Sequence, residues 1–349
     1  VSKLRQRSAK RITIKDVAQA AGVSVTTVSN VLNGRAEAMA KDTLLRVQET
    51  IRILDYYPNR VARSLVTSRT ATIGTIINEI DTPLYIQTLN YIEPIARNAG
   101  YNTLLCVAHN LEDEQQVVNL LLEKQVDGII LLGNSLYLPD DYLNYLPLSA
   151  PPIVLINHNV NHHRFDQIGW DNVNAVAEIV DYLVQLGHRR IAHLSGPETR
   201  RAGEERLAGY RLGLEKHALE YCEDYVRPGD FLNGSPEQWT QSTQALLALP
   251  DRPTAIIASN DIVAAVVIKT IQQAGLQIPQ DITVVGFDNQ SFCAYLSPTL
   301  TTILIPIVEA GKLAIEILLA RIADHGGATR QVTLPCSLIV RESSGAVAH

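Results

Sequence analysis

The chain has 349 residues, 46% of them hydrophobic, which exceeds one ordinary domain and is apolar enough to bury large cores. Disorder over most of its length is excluded on that ground, and a net charge of -6 argues at first sight against a nucleic-acid partner. The average hides a split: residues 1–69 hold thirteen Lys plus Arg against five Asp plus Glu, or +8, and the remainder seventeen against thirty-one, or -14.

A basic amino-terminal part can be drawn to phosphates while the acidic body keeps the rest of the molecule off DNA. Cys106, Cys222, Cys293 and Cys336 are far apart, with no CxxC spacing, which argues against a zinc site or a disulfide framework and fits a reducing cytosol. No apolar run is long enough to span a membrane, and the start, VSKLRQRSAKR, lacks the apolar stretch of a signal peptide, so the protein is expected to stay in the cell.

Residues 1–11 read as a basic tail in which Lys3, Arg5, Arg7, Lys10 and Arg11 are either solvated or touch phosphates. Residues 13–34, TIKDVAQAAGVSVTTVSNVLNG, read as two short helices joined at Ala21-Gly22. Thr13 and Asp16 form a capping box, Gly22 supplies the turn and Ser24 caps the second helix. Val28, Val31 and Leu32 repeat at helical spacing and are expected to pack on Val17, Ala18 and Ala21. The opposite face carries Thr26, Thr27, Ser29, Asn30 and Asn33, short hydrogen-bonding side chains that suit a helix lying in a major groove. A third helix over 41–55 offers Leu44, Val47, Ile51 and Leu54 to the same small core, but Ala40 gives it no side-chain cap.

TIKDVA, GVS and TVSNVLNG, followed by YPNRVARSL at 57–65, resemble the headpiece and hinge of the LacI/GalR family of bacterial transcription regulators. The resemblance implies DNA contact by Thr13, Ile14, Ser24, Val25, Thr26, Thr27, Ser29, Asn30 and Asn33, with Val25, Thr26 and Asn30 at base-reading positions. It also implies a hinge at 58–69 that orders on DNA, with Asn59, Arg60, Ala62 and Arg63 at the minor groove and Leu65 as a wedge between base steps. Asn30 stands where the family usually has Arg.

From Ala71 the pattern becomes βα repeats. Strands are expected in ATIGTIIN, TLLCVA and DGIILLG and at 153–157, 190–195, 255–259 and 283–287, and helices at 84–99, 112–125, 173–186, 204–218, 236–248 and 262–274. Such alternation means parallel sheets covered by helices, with ligands at the carboxyl ends of strands. Those ends read Asn78-Glu79-Ile80-Asp81, Asn157-His158, Ser195-Gly196-Pro197, Ser259-Asn260-Asp261 and Phe287-Asp288-Asn289. Asn, Asp and Arg with a few aromatics suit a sugar-like ligand, whose hydroxyls need polar partners and whose ring face needs a flat apolar surface.

The fold class expected is therefore an all-α helix-turn-helix headpiece followed by an α/β core of two parallel-sheet subdomains, which the resemblance makes periplasmic binding protein-like, type I. The chain divides into a tail at 1–11, a headpiece at 12–57, a hinge at 58–69, a core at 70–343 and a tail at 344–349. Within the core, subdomain 1 is expected over about 70–160 plus 292–323 and subdomain 2 over about 161–291 plus 324–343. The resemblance implies effector contacts from Tyr85, Asp81, Asn157, Arg200, Arg206, Phe231, Asn260 and Asp288; Arg200 matches a position used in purine-responsive relatives. A strand-end Asn or Asp is as readily a helix cap, and Asn260-Asp261 could cap the helix that follows.

An enzyme is not supported: Ser195 lies in LSGPE, no P-loop spacing occurs, and His158, His162 and His163 lack the helical register of a zinc site. No cofactor and no metal are expected. The reading is a cytoplasmic homodimeric repressor of a pseudo-palindromic operator, controlled by a sugar or sugar derivative. The alternatives are a purine or nucleoside acting as corepressor and, in another class, a sugar receptor without a regulatory role. After the final strand, VTLPCSLIVRESS, no heptad seam remains to join dimers into a tetramer.

Overall fold

The computed structural model describes residues 12–32, 34, 35, 39–57, 69–78, 80, 83–133, 146, 147, 149–158, 164–197, 201–230, 234–324 and 326–346. Two compact units divide the chain, Val1–Thr70 and Ala71–His349.

In the first unit, helices α1 (Ile14–Ala21), α2 (Val25–Leu32) and α3 (Lys41–Ile53) close over Val17, Ala18, Ala21, Val28, Val47 and Tyr56. Val31, Leu32, Ile51 and Leu54 pack against that core as expected, and Leu44 is half-buried. Thr13 caps α1 in a capping box with Asp16, and Gly22 ends it in the left-handed region at φ 65°, where a residue with a Cβ would be strained. Ala40 gives α3 no side-chain hydrogen bond, and that helix ends at Ile53, two residues short of the expected limit.

The second unit holds two six-stranded sheets. The first comprises β1 (Thr72–Ile77), β2 (Asn102–Val107), β3 (Gly128–Leu132), β4 (Ile153–Ile156), β5 (Asp166–Trp170) and β11 (Gln331–Leu334), in the order β11-β5-β4-β3-β1-β2. The second comprises β6 (Ile191–Ser195), β7 (Val226–Pro228), β8 (Ala255–Ala258), β9 (Thr283–Asp288), β10 (Thr301–Leu304) and β12 (Ser337–Ile339), in the order β12-β10-β9-β8-β6-β7. All pairings are parallel except that of β12 with β10. The central strands β3, β4 and β8 are buried throughout, as the apolar runs require of strands covered on both faces.

Helices α4 (Pro83–Asn98), α5 (Leu111–Glu123) and α10 (Ile307–Ala323) cover the first sheet, while α6 (Asn172–Gln185), α7 (Arg201–Lys216), α8 (Pro236–Leu247) and α9 (Asp261–Gln273) go with the second. The α6 and α7 helices approach closely because α7 presents Gly209 and Gly213, one turn apart. A Cβ at 209 would meet the Val173 carbonyl, and one at 213 would meet the Val180 side chain.

The chain crosses between subdomains at 170–172, 304–307 and 334–337, which corrects the expected boundaries at 160/161, 291/292 and 323/324. The cause is that β5 and β11 pair in the first sheet and β10 in the second. The stretch VTLPCSLIVRESS, read as one strand, is two. Pro335 has no N–H for a ladder, so pairing stops there, and the chain leaves the first sheet at Leu334 to join the second at Ser337.

Candidate functional site

In the first unit, Thr27 donates its backbone N–H to Ser24 Oγ at 3.1 Å, which fixes the start of α2 as the sequence suggested. The Ser24 and Thr27 hydroxyls also bond one another at 2.9 Å, so both are partly committed to the cap. Val25 and Thr26 stand exposed beside them, and Ser29 and Asn30 are half-buried on the same helix. Thr13 is bound to Asp16 at 2.6 Å, and Ile14 packs on the small core, so the most open groups of the expected reading face are Val25 and Thr26. Asn33 and the hinge residues Asn59, Arg60, Ala62, Arg63 and Leu65 lie outside the described residues, as does the basic tail.

In the second unit, three of the expected effector residues form one group at the carboxyl ends of β8 and β9. Arg206 is carried on α7 and is 5% exposed. Its Nη1 donates to the Ser259 carbonyl, its Nη2 faces Asp288 Oδ1 at 3.5 Å, and its guanidinium lies 3.8 Å from the centre of the Phe287 ring. Three fixed partners hold the guanidinium in one orientation. Burial pushes the Asp288 carboxyl up, and Arg206 beside it pulls the other way. Asp288 also sits at φ 110°, a backbone conformation rare for a residue with a side chain.

That turn is held from behind. Asp261 accepts from the Gln290 N–H at 2.6 Å and from Thr302 Oγ1 at 2.5 Å, while Arg341 donates to Asn289 Oδ1 at 2.7 Å. Asn260 takes the capping role that the sequence left open: its Oδ1 accepts from Val263 N–H at 2.9 Å. Its carbonyl oxygen is thereby committed to α9.

The first sheet contributes Tyr85 and Asn157. Tyr85 is buried and donates its hydroxyl to the Gly133 carbonyl at 3.3 Å, and Asn157 follows β4 at φ 57°. Asp81, Arg200 and Phe231 lie outside the described residues, as do His162 and His163. His158 is buried, and desolvation lowers its pKa to about 3, which keeps the ring neutral. Among the described residues, no cluster of His, Cys, Asp and Glu could hold a metal ion.

Several buried polar atoms at strand ends have no hydrogen-bond partner among the described residues: Asn78 Oδ1 after β1, Trp170 Nε1 at the end of β5, Ser195 Oγ at the end of β6 and Ser259 Oγ after β8. Strands β6 and β8 run in register, Leu194 beside Ala258, which brings Ser195 and Ser259 to the same level. Buried polar groups left unpaired are costly, and the Ser195 and Ser259 hydroxyls, level with one another on neighbouring strands, suit a polar ligand at the strand ends. Trp170 and the serine hydroxyls were not among the expected effector residues. The serines were visible as strand ends, whereas Trp170 closes a strand, DQIGW, with too little apolar alternation to be read.

Residues 13–59 match the model of bacterial regulatory proteins, lacI family, and residues 180–344 match that of the periplasmic binding protein-like domain. The HTH-type transcriptional repressor PurR of Photobacterium profundum is 34% identical over 334 residues, covering 95% of this chain and 98% of that protein. The chain belongs to the LacI family. Two solved structures agree with that assignment. The lac repressor dimer bound to operator and the anti-inducer ONPF superposes with a TM-score of 0.83 at 28% identity, covering 97% of this chain and 100% of that one. The transcriptional regulator CelR in complex with cellobiose gives 0.70 at 28% identity, covering 95% and 100%. As a LacI-family protein the chain is a DNA-binding transcriptional repressor under small-molecule control, and not an enzyme. No described helix is long and apolar enough to cross a membrane.

Proposed function

We propose that this repressor works in the cytoplasm as a homodimer on a pseudo-palindromic operator, and that a sugar or sugar derivative bound beside Arg206, Asn260 and Asp288 sets its operator affinity. The observation that carries this reading is the grouping of Arg206, Asp288, Ser195 and Ser259: a fixed guanidinium, a carboxylate and two buried hydroxyls without partners. Vicinal hydroxyls satisfy such a set, since each both donates and accepts. Tyr85 and Asn157 supply the facing wall, and Asp81, Arg200 and Phe231 complete the expected set. The complex of CelR with cellobiose supports a carbohydrate.

On the DNA side, Val25, Thr26 and Asn30 read base edges, with Thr13, Ile14, Ser24, Thr27, Ser29 and Asn33 placing the helix on phosphates. The hinge residues Asn59, Arg60, Ala62, Arg63 and Leu65 take the minor groove. A second copy has an apolar edge to meet: β2 is the outermost strand of its sheet and exposes Leu104 and Leu105, with Tyr91 exposed on α4. Control is then a linkage: an effector that binds the core state with separated hinges more tightly weakens operator binding by the ratio of its two affinities.

Calorimetric titration with cellobiose, ribose and a set of purine bases tests the effector class. Heat with a sugar that disappears in Asp288→Asn supports the assignment. Binding of a purine alone would replace the sugar by the corepressor reading.

A further inference from the structure

A cavity of about 310 Å³ opens at the lateral edge of the first sheet, and none of Arg206, Ser259, Phe287 and Asp288 lines it. Gln167, Gln331 and Thr333 on β5 and β11 form one wall, and Asn172, Arg201 and Glu205 on α6 and α7 form the other. The crossover Trp170-Asp171-Asn172 makes its floor. Glu205 and Arg206 are neighbours in sequence but point to different sides of α7: Arg206 meets Ser259 and Phe287, whereas Glu205 Oε2 accepts from Asn172 Nδ2 at 2.8 Å.

We propose that this cavity is a second small-molecule site, taking a neutral polyhydroxylated ligand of monosaccharide size. Asn172 is 2% exposed, and its Oδ1 has no partner among the described residues although its Nδ2 does. Trp170 is 6% exposed, and its Nε1–H likewise has none. Gln167, Gln331, Thr333 and Asn172 bring amide and hydroxyl groups to one space, and ligand hydroxyls pair with both kinds. The charged groups, Arg201 against Glu205 and Asp171, sum to -1, which repels an anion. Arg201 Nε and Glu205 Oε1 pair at 2.6 Å, and Asp171 accepts from Asn174 N–H at 2.9 Å and from its Nδ2 at 2.6 Å. The volume lies at the small end of ligand pockets, which excludes anything much larger than one sugar ring.

The walls come from both subdomains, so a ligand here bears on their separation as the effector does. The site does not depend on the Arg206 group being the effector site.

Fluorine NMR of the full chain carrying 5-fluorotryptophan tests the proposal. The chain has two tryptophans, and Trp239→Phe assigns the signal of Trp170. With D-ribose or D-glucose, the Trp170 signal is expected to move saturably. Thr333→Tyr, on an exposed edge position, fills the cavity and is expected to weaken that response at least roughly ten-fold, about 1.4 kcal/mol, while Arg206→Ala leaves it. Gln331→Tyr does the same from a neighbouring exposed position should Thr333→Tyr fail to fold. No saturable movement with either sugar, or a response that survives both tyrosines and is lost in Arg206→Ala, overturns the second site. Loss in Arg206→Ala of a separate, tyrosine-insensitive response, with the tyrosine-sensitive one retained, supports two distinct sites.

Discussion

Gly286 on β9 and Asp261 at the head of α9 stand so close that a Cβ built on the glycine would overlap Oδ1 of the carboxylate. The bare backbone at 286 lets Asp261 reach Gln290 and Thr302, and those bonds fix the turn that presents Asp288. Gly286→Ala is expected to cost about 1–3 kcal/mol of stability, as overpacking in a core does. It should also weaken effector binding without touching the ligand. Urea unfolding and calorimetry on the same variant check both; unchanged affinity would mean that Asp288 does not depend on this support.

Glu114 on α5 is 5% exposed, and burial raises its carboxyl to about 8. The folded chain therefore holds a proton there that the unfolded chain releases near its ordinary value of about 4.3. Stability is fully present below that value and is lost as pH rises toward 8. The thermal midpoint should fall between pH 5 and pH 8 by more in the wild type than in Glu114→Gln. The difference should correspond to roughly 1–4 kcal/mol. Parallel pH profiles would exclude Glu114 as the cause.

Thr13 accepts from Asp16 N–H and donates to the Asp16 carboxylate at 2.6 Å, closing the first turn of α1. Thr13→Ala should cost about 1 kcal/mol of headpiece stability. Hydrogen exchange should then show faster opening of α1, with the sheets of the second unit unaffected. Equal protection of α1 in the two proteins would leave the cap without energetic weight.

Val25 is exposed on α2, and in the proposed reading it meets a thymine methyl while Asn30 meets a base edge. Operators selected from random DNA should lose a preference at one position with Val25→Ala and at another with Asn30→Ala. Each contact contributes about 1–3 kcal/mol of discrimination. Lys15, an exposed cation in the first turn of α1, serves as the contrast: Lys15→Ala should reduce affinity alike on all sequences and flatten the salt dependence. A uniform loss with Asn30→Ala would move that residue to the phosphate class.

The headpiece was legible because each cue was local: the cap at Thr13, the turn at Gly22 and the apolar spacing of Val28 against Val17 need no distant partner. The long helices of the core were legible for the same reason, with ends a few residues off. Short strands were not. DQIGW at β5, VRP at β7 and SLI at β12 are strands because their neighbours pair with them, and that partner choice is absent from local pattern. The subdomain boundaries followed the same blind spot, since each depended on the sheet to which β5, β10 and β11 belong. In the candidate site, Arg206 and Asp288 could be named from motif and strand end, and the structure brings them together. That Asn260 would commit its carbonyl oxygen to a cap, and that Trp170 would bring an unpaired indole N–H, depended on burial.

The central claim is that one cleft controls one DNA-reading face. Fluorescence anisotropy on a selected operator at fixed salt, with and without the sugar found by calorimetry, tests it most directly in wild type and Arg206→Ala. The account predicts that the sugar changes the operator Kd of the wild type by some factor, that operator changes the sugar Kd by the same factor, and that Arg206→Ala binds operator but ignores the sugar. An operator Kd that the sugar leaves unmoved in the wild type, or moves equally in Arg206→Ala, would contradict it.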